Sequence, residues 1–435
     1  MTGQGPGTAL EVVPAGPVGG RVRAPASKSV TNRALVAAAL AAGVSTLRDP
    51  LDSDDSAAMR DCLRAFGADV DVTPRQWRVT GTGGALAAPD APLDARLSGT
   101  TARFVTAVCA LGSRGGEVTG HAPLRRRPIG PLVDALRSLG AKADDTDGGL
   151  PVHLAGGGLA GGTVEVDVSG SSQFASAVLL VAPYARTDVV CRLRGRSASD
   201  YIALTVELMR SWGAQVDDVA DGWRVHAGSG YRARRVDVEY DASAAAHLYA
   251  LAAASGGSVA VTNAITTRQP DAGAVEVLGA LGCDVARGPR GVTVTSAGAL
   301  RPVDVSLAAM PDQVTTFAAL AALAPGTSVL RDVGVARMHE TDRLEALTTE
   351  LARLGVEVEQ TPDTLTIHGG TARGPADLRT HDDHRLAMAF AAIGTRVAGV
   401  TILDPGCVAK TYPAFWDDAR ALGCDVRRRD HKGTP

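Results

Sequence analysis

The chain has 435 residues, 45% of them hydrophobic and 21% charged, with a formal net charge of −3. That length exceeds what one core usually serves and predicts two domains of about 200 residues, while the near-neutral balance argues against a chain built to hold nucleic acid or an anionic membrane. Apolar runs break off well short of the ~20 residues that span a bilayer, and the Gly-rich N-terminus has no basic stretch ahead of an apolar core, so a cytoplasmic protein is expected.

Taken in chain order, the elements repeat. Six helix-like segments end in one short phrase and run into a strand-like one: Phe66-Gly67-Ala68-Asp69-Val70, Leu139-Gly140-Ala141-Lys142-Ala143, Trp212-Gly213-Ala214-Gln215-Val216, Leu281-Gly282-Cys283-Asp284-Val285, Leu354-Gly355-Val356-Glu357-Val358 and Leu422-Gly423-Cys424-Asp425-Val426. The glycines lie roughly 70 residues apart, a fixed period that is a statement about architecture. Each reads as a left-handed residue closing a helix. Alternation such as Trp77-Arg78-Val79 or Leu365-Thr366-Ile367 then predicts strands with one buried face.

A second helix precedes each of these. The openings are Ser27-Lys28-Ser29, Ser98-Gly99-Thr100-Thr101, Gly170-Ser171-Ser172-Gln173, Asp241-Ala242-Ser243, Pro311-Asp312-Gln313 and Asp382-Asp383-His384-Arg385. All lead into Ala/Leu/Val runs too apolar for a surface helix, for example Ala34-Leu35-Val36-Ala37-Ala38-Ala39-Leu40. Buried helices with strands around them, three units to a domain and six in all, are the predicted α/β arrangement.

The openings also predict anion binding. A helix N-terminus presents unpaired N–H groups and partial positive charge. Under pseudo-symmetry the six would gather on facing surfaces of two domains, with anions held between them. The first three carry Ser, Thr, Gly and Gln beside Lys28 and Arg33, and the last three carry Asp241, Asp312, Asp382 and Asp383, which serve as N-caps or as bases. Only four of the 44 cationic residues are lysine, and two of them, Lys28 and Lys410, stand in such places. Arg125-Arg126-Arg127-Pro128 sets three guanidiniums before a helix expected to hold Pro128 in its first turn, and Arg337-Met338-His339-Glu340-Thr341-Asp342-Arg343 packs cations and carboxylates together. Six scattered cysteines (Cys62, Cys109, Cys191, Cys283, Cys407 and Cys424) form no CxxC pair. Neither a metal site nor a disulfide framework is therefore expected.

Eight ordered segments closely resemble the 5-enolpyruvylshikimate-3-phosphate synthase (3-phosphoshikimate 1-carboxyvinyltransferase) family, from about Val22 to Val426. They are Pro25-Ala26-Ser27-Lys28-Ser29-Val30-Thr31-Asn32-Arg33, Leu51-Asp52-Ser53-Asp54-Asp55, Ser98-Gly99-Thr100-Thr101-Ala102-Arg103, Arg127-Pro128-Ile129, Ser171-Ser172-Gln173, His339-Glu340-Thr341-Asp342-Arg343, Asp383-His384-Arg385 and Lys410-Thr411-Tyr412-Pro413. The resemblance implies a two-domain inside-out α/β barrel of six βαβαββ units, helices buried and sheets outside. Residues 24–240 would form the first three-repeat domain, 241–435 the second, and 1–23 would return to the second. It also implies transfer of the enolpyruvyl group of phosphoenolpyruvate to the 5-hydroxyl of shikimate 3-phosphate, with loss of phosphate, in chorismate biosynthesis. The implied enzyme is a monomer needing no metal or cofactor, with no nucleic-acid or membrane partner, and a target of glyphosate.

By the same resemblance, Lys28 touches both substrates. Ser29, Arg33, Ser171, Ser172, Gln173, Asp312 and His339 lie on the shikimate phosphate side; Gly99, Thr100, Arg127, Gln173, Arg343, Arg385 and Lys410 hold phosphoenolpyruvate. Asp312 takes the hydroxyl proton and Glu340 exchanges one with C3. Departures from the family pattern are Leu97, Val335 and His339, where Asn, Asn and Lys are common, and either Ser197 or Ser199 is the serine facing the acceptor phosphate. An enolpyruvyl transferase acting on a different hydroxyl acceptor is the alternative. The UDP-N-acetylglucosamine enolpyruvyl transferases usually carry a reactive Cys where this chain reads Gly120-His121-Ala122-Pro123. RNA 3′-phosphate cyclases share a related unit, but the net charge of −3 argues against RNA.

Overall fold

The computed structural model describes residues 8–195 and 200–430; Ser197 and Ser199 lie outside them. The chain divides into two bodies, Met1–Pro25 with Tyr240–Pro435 and Ala26–Glu239. The divisions fall two residues later and one residue earlier than the sequence-based boundaries. Ala24 N donates to Asn263 Oδ1 and Asp241 N to Pro25 O, while Tyr240 O accepts from Gln269. Those bonds hold residues 24, 25 and 240 with the second-half body.

Within each body three apolar helices form the centre. They are Lys28–Leu40, Gly99–Leu111 and Gln173–Val181 in one, and Ala242–Ser255, Val314–Leu323 and His384–Gly394 in the other. Nearly every residue of these helices is buried, on all sides rather than along one stripe, as a helix surrounded by other elements requires. Three four-stranded sheets accompany each trio and turn one face to it, Trp77 and Val79 inward and Arg78 outward in Gln76–Thr82.

The sheets share one pattern, a parallel edge pair followed by two antiparallel pairings. In one, Gly162–Asp167 runs parallel to Val189–Arg194, which pairs antiparallel with Gly222–Val225 and through it with Val216–Val219. Strands far apart in sequence complete three of the sheets. Thr8–Val13 lies between Val400–Leu403 and Asp425–Asp430, Gly19–Val22 runs beside Ser258–Val261, and Arg235–Asp237 runs beside Ala42–Arg48.

The six repeat glycines all take φ between +75° and +99°, the left-handed region where a Cβ is strained. Close approach imposes a second demand for glycine. A Cβ on Gly81 would stand 2.2 Å from the carbonyl oxygens of Ala38 and Ala41, and one on Gly369 1.9 Å from that of Ala321. Strand and buried helix touch there, backbone to backbone.

Candidate active site

In the first-half body, the openings of the buried helices carry the polar groups. Ser27 caps its helix by accepting from Val30 N at 3.3 Å. That fixes the turn bearing Lys28, whose Nζ lies 3.2 Å from Asp55 Oδ2. Asp55 is 3% exposed, in the first turn of Asp54–Ala65, where its backbone O also accepts from Thr101 Oγ1. Ser98 caps the second opening through Thr101 N. Gly99 follows, with Thr100 buried next to it; a Cβ on Gly99 would stand 2.8 Å from Nη1 of Arg127. Pro128 does not lie in the helix that follows: Gly130–Ser138 begins after Ile129 and has Pro131 near its start. Pro128 instead presents its carbonyl to Arg103 at 3.4 Å.

Arg103 ties these pieces together. Buried and stacked 4.9 Å from the Phe174 ring centroid, it donates to Ser171 Oγ at 3.1 Å and Gln173 Oε1 at 2.8 Å. Ser171 Oγ also accepts from Gln173 N, whereas Ser172 makes no side-chain cap. Arg33 is 2% exposed and donates to Thr205 Oγ1 at 2.7 Å, to Ser29 O at 3.1 Å, and to Ser176 Oγ and Tyr201 O. Burial lowers its pKa to about 10, which leaves it a cation at neutral pH. These bonds brace the opening around Ser29.

The second-half body holds a denser set. Asp312, read from the sequence as a cap or as a base, caps no helix but lies inside the Pro311–Gln313 turn with its carboxylate between arginines. Arg343 Nη1 donates to Oδ1 at 2.6 Å and Arg385 Nη2 to Oδ2 at 2.9 Å. Arg343, fully buried as the first residue of Arg343–Ala352, also donates to Glu340 Oε2 at 2.9 Å and to both oxygens of Asp383, at 2.7 and 3.3 Å. Lys410 reaches Glu340 Oε1 at 2.8 Å. Local structure aims these groups: Asp342 caps the Arg343 helix through Leu344 N and Glu345 N, and Asp383 caps the next through Arg385 N. Glu340 lies ahead of the Arg343 helix.

Burial alone would raise the Asp312 carboxyl, but Arg385 and Arg343 hold it well below the usual range. Burial is also what lowers His339, and it outweighs Asp312. Geometry agrees that His339 is neutral. Its Nδ1 lies 2.9 Å from Arg343 Nη1, and a guanidinium only donates, so Nδ1 accepts. The 3.1 Å approach of Nδ1 to Asp312 Oδ1 is therefore not an ion pair. For Arg343, burial is overcome by Asp383, Glu340 and Asp312, and its pKa rises.

The structure thus joins Asp312, His339, Glu340, Arg343, Arg385 and Lys410 in one cluster, and places Lys28, Gly99, Thr100, Arg127, Ser171, Ser172 and Gln173 at openings of the other body. Sequence reasoning does not single out Asp55 or Arg103, although each stands inside a quoted motif, and takes Asp383 only as a cap or a base; the signal for Asp55 is a charge in the first turn of a helix. Among the described residues no group of three or more His, Cys, Asp or Glu side chains is arranged to hold a metal ion, and no helix is long and apolar enough to cross a membrane. A carboxylate pair set among arginines and a lysine can bind an anion and move protons beside it.

The sequence profile of the EPSP synthase (3-phosphoshikimate 1-carboxyvinyltransferase) family matches residues 12–419. The chain is 42% identical over 405 residues to the 3-phosphoshikimate 1-carboxyvinyltransferase of Syntrophobacter fumaroxidans, covering 92% of this chain and 96% of the relative. It is 39% identical to that of Nostoc punctiforme, covering 92% and 95%. Among solved structures, an EPSP synthase from Acinetobacter baumannii superposes with a TM-score of 0.81 at 24% identity, covering 97% of this chain and all of that one.

Proposed function

This chain belongs to the EPSP synthase family, and from that premise we propose that it transfers the enolpyruvyl group of phosphoenolpyruvate to the 5-hydroxyl of shikimate 3-phosphate, releasing phosphate. The observation that carries the mechanism is the second-half cluster, in which Asp312 lies between Arg343 and Arg385 and Glu340 between Arg343 and Lys410.

The reaction needs a base for the attacking hydroxyl, an acid for C3 of phosphoenolpyruvate, and cations for two phosphates and two carboxylates. Asp312 is the base. Without substrate its proton affinity is suppressed by the arginines; an anionic substrate that takes over their donors relieves that suppression as the hydroxyl arrives. Glu340 delivers a proton to C3 and recovers one when the tetrahedral intermediate collapses, with Lys410 and Arg343 on its two oxygens. Arg343, Arg385 and Lys410 bind phosphoenolpyruvate together with Gly99, Thr100, Arg127 and Gln173. Lys28, steadied by Asp55, serves both substrates. Ser29, Ser171, Ser172, Gln173 and a neutral His339 hold shikimate 3-phosphate by hydrogen bonds, Arg33 acting through Ser29 and the Tyr201 carbonyl. The enzyme works as a cytoplasmic monomer, and glyphosate competes with phosphoenolpyruvate.

Phosphate release with both substrates tests the assignment, with each substrate omitted in turn. Release that requires phosphoenolpyruvate but proceeds only with another hydroxyl acceptor would move the chain to a paralogous enolpyruvyl transferase. No release with either kind of acceptor would overturn the activity.

A further inference from the structure

Behind Asp312 runs a buried polar chain for which the reaction has assigned no role. Asp271, 1% exposed in the Pro270–Gly273 turn, accepts on Oδ1 from Ser243 Oγ at 2.5 Å and from Gln313 Nε2 at 2.7 Å. Gln313 is fully buried and directly follows Asp312; its Oε1 accepts from Thr316 Oγ1 at 2.9 Å, and that hydroxyl lies 3.2 Å from His247 Nδ1. The neighbouring Gln269 binds the same helix start, accepting from Ala242 N and donating to Tyr240 O. The turn that carries Asp312 is therefore fastened from behind by one carboxylate.

A neutral acceptor would anchor Ser243 and Gln313 without the cost of desolvating a charge. What a carboxylate adds is its field. Resting on the reading of Asp312 as the base, we propose that Asp271 is a positioning residue that fixes the Asp312 turn through Gln313, and that its negative charge keeps Asp312 basic against the surrounding arginines.

The groups facing Asp312 are Arg385 and Arg343 from the two flanking helices, His339 from the loop before the Arg343 helix, and Asp271 and His247 from behind; Asp241, at the cap of the His247 helix, acts on Arg385. Burial and then the arginines push His247 well down, so it is neutral. Asp271 is thus the anionic member of the rear set. Burial raises its carboxyl, and Asp312 raises it further; such coupling acts equally in the reverse direction.

Asp271→Asn keeps the shape and an acceptor oxygen while removing the charge. In the pH profile of kcat, its acid limb should move to lower pH by on the order of half to one unit. The plateau should fall about 3- to 10-fold as the base weakens, with KM for both substrates within about twofold. An unmoved limb, with or without lost activity, would leave Asp271 a purely structural residue and overturn the proposal. A second arm needs neither turnover nor that variant: by 13C NMR of labelled aspartate, Asp312→Asn should shift the Asp271 midpoint to lower pH. An unchanged midpoint would overturn the coupling itself. Wild-type turnover in Asp312→Asn would instead remove the base assignment, a separate failure.

Discussion

Arg343→Met should be the most damaging single change in the second-half cluster, for a reason that can be sized. Arg343 is fully buried and donates to three carboxylates, one of which, Asp383, is equally buried and bound through both oxygens. Glu340 keeps Lys410 and Asp312 keeps Arg385 when the guanidinium is removed. Asp383 loses both side-chain bonds and retains the cap to Arg385 N. Stranding a buried charge in this way costs about 3–5 kcal/mol. At ~2–4 °C per kcal/mol for a body of this size, the second-half transition should fall by about 6–20 °C.

The control is the double variant Arg343→Met/Asp383→Asn. Asparagine still caps the helix but leaves no charge stranded, so at least about half the loss should return, a coupling measured by a double-mutant cycle. Thermal melts by circular dichroism and calorimetry, at fixed pH and salt, read all four proteins. A single variant melting within about 2 °C of wild type, or a double variant no better than the single, would refute the claim that this arginine compensates buried charge.

Asp312→Asn and Glu340→Gln should each stay folded, the first melting lower because buried Arg385 loses its carboxylate partner, while turnover falls by about 10²- to 10⁴-fold; circular dichroism and phosphate release check both. Gly99→Ala should act through Arg127, whose guanidinium must move to admit a Cβ 2.8 Å away. Glyphosate inhibition should then weaken much more than KM for phosphoenolpyruvate rises, as inhibition constants for both proteins will show. His339 and His247 both have lowered folded pKa values, so the unfolded chain binds more protons once pH drops below ~6.5. Stability should accordingly decline from there toward pH 5, and the decline should shrink in His339→Gln. For the same reason His339 leaves acceptor affinity flat between about pH 7 and 9, whereas a cationic histidine would weaken binding across neutrality. Burial pushes the thiols of Cys62, Cys109, Cys191, Cys407 and Cys424 up to about 12. With thiolate fractions on the order of one in ten thousand or below at pH 7.5, native protein should react negligibly with a disulfide reagent until denatured.

Much of the fold was legible because its demands are local. A glycine at φ near +95° closing a helix, an all-apolar helix, and alternation in a strand are each written in a few consecutive residues, and six copies make them unmistakable. Sheet completion was not legible that way: nothing in Thr8–Val13 alone names Asp425–Asp430 as its neighbour, and only the family resemblance returned the N-terminus to the second half. The site divides similarly. Lys28, Asp312, Glu340 and Arg343 stand out as charges at helix openings, a signal of position along the chain. The groups that hold them matter instead through distant partners: Asp55, Arg103, Asp383 and Asp271 bind residues 27 to 70 positions away. Arg33 is a cation at an opening that folding turns inward, onto Thr205 and the Ser29 carbonyl. His339 differs again, since its residue type leaves charge undecided and a neighbouring guanidinium decides it. Reading a charged residue in a repeat fold of this kind therefore requires two questions: which opening it stands at, and whether a distant partner has already claimed its charge. For Asp312 the claim is made by two arginines, and the proposed base role requires that an arriving anion take them back.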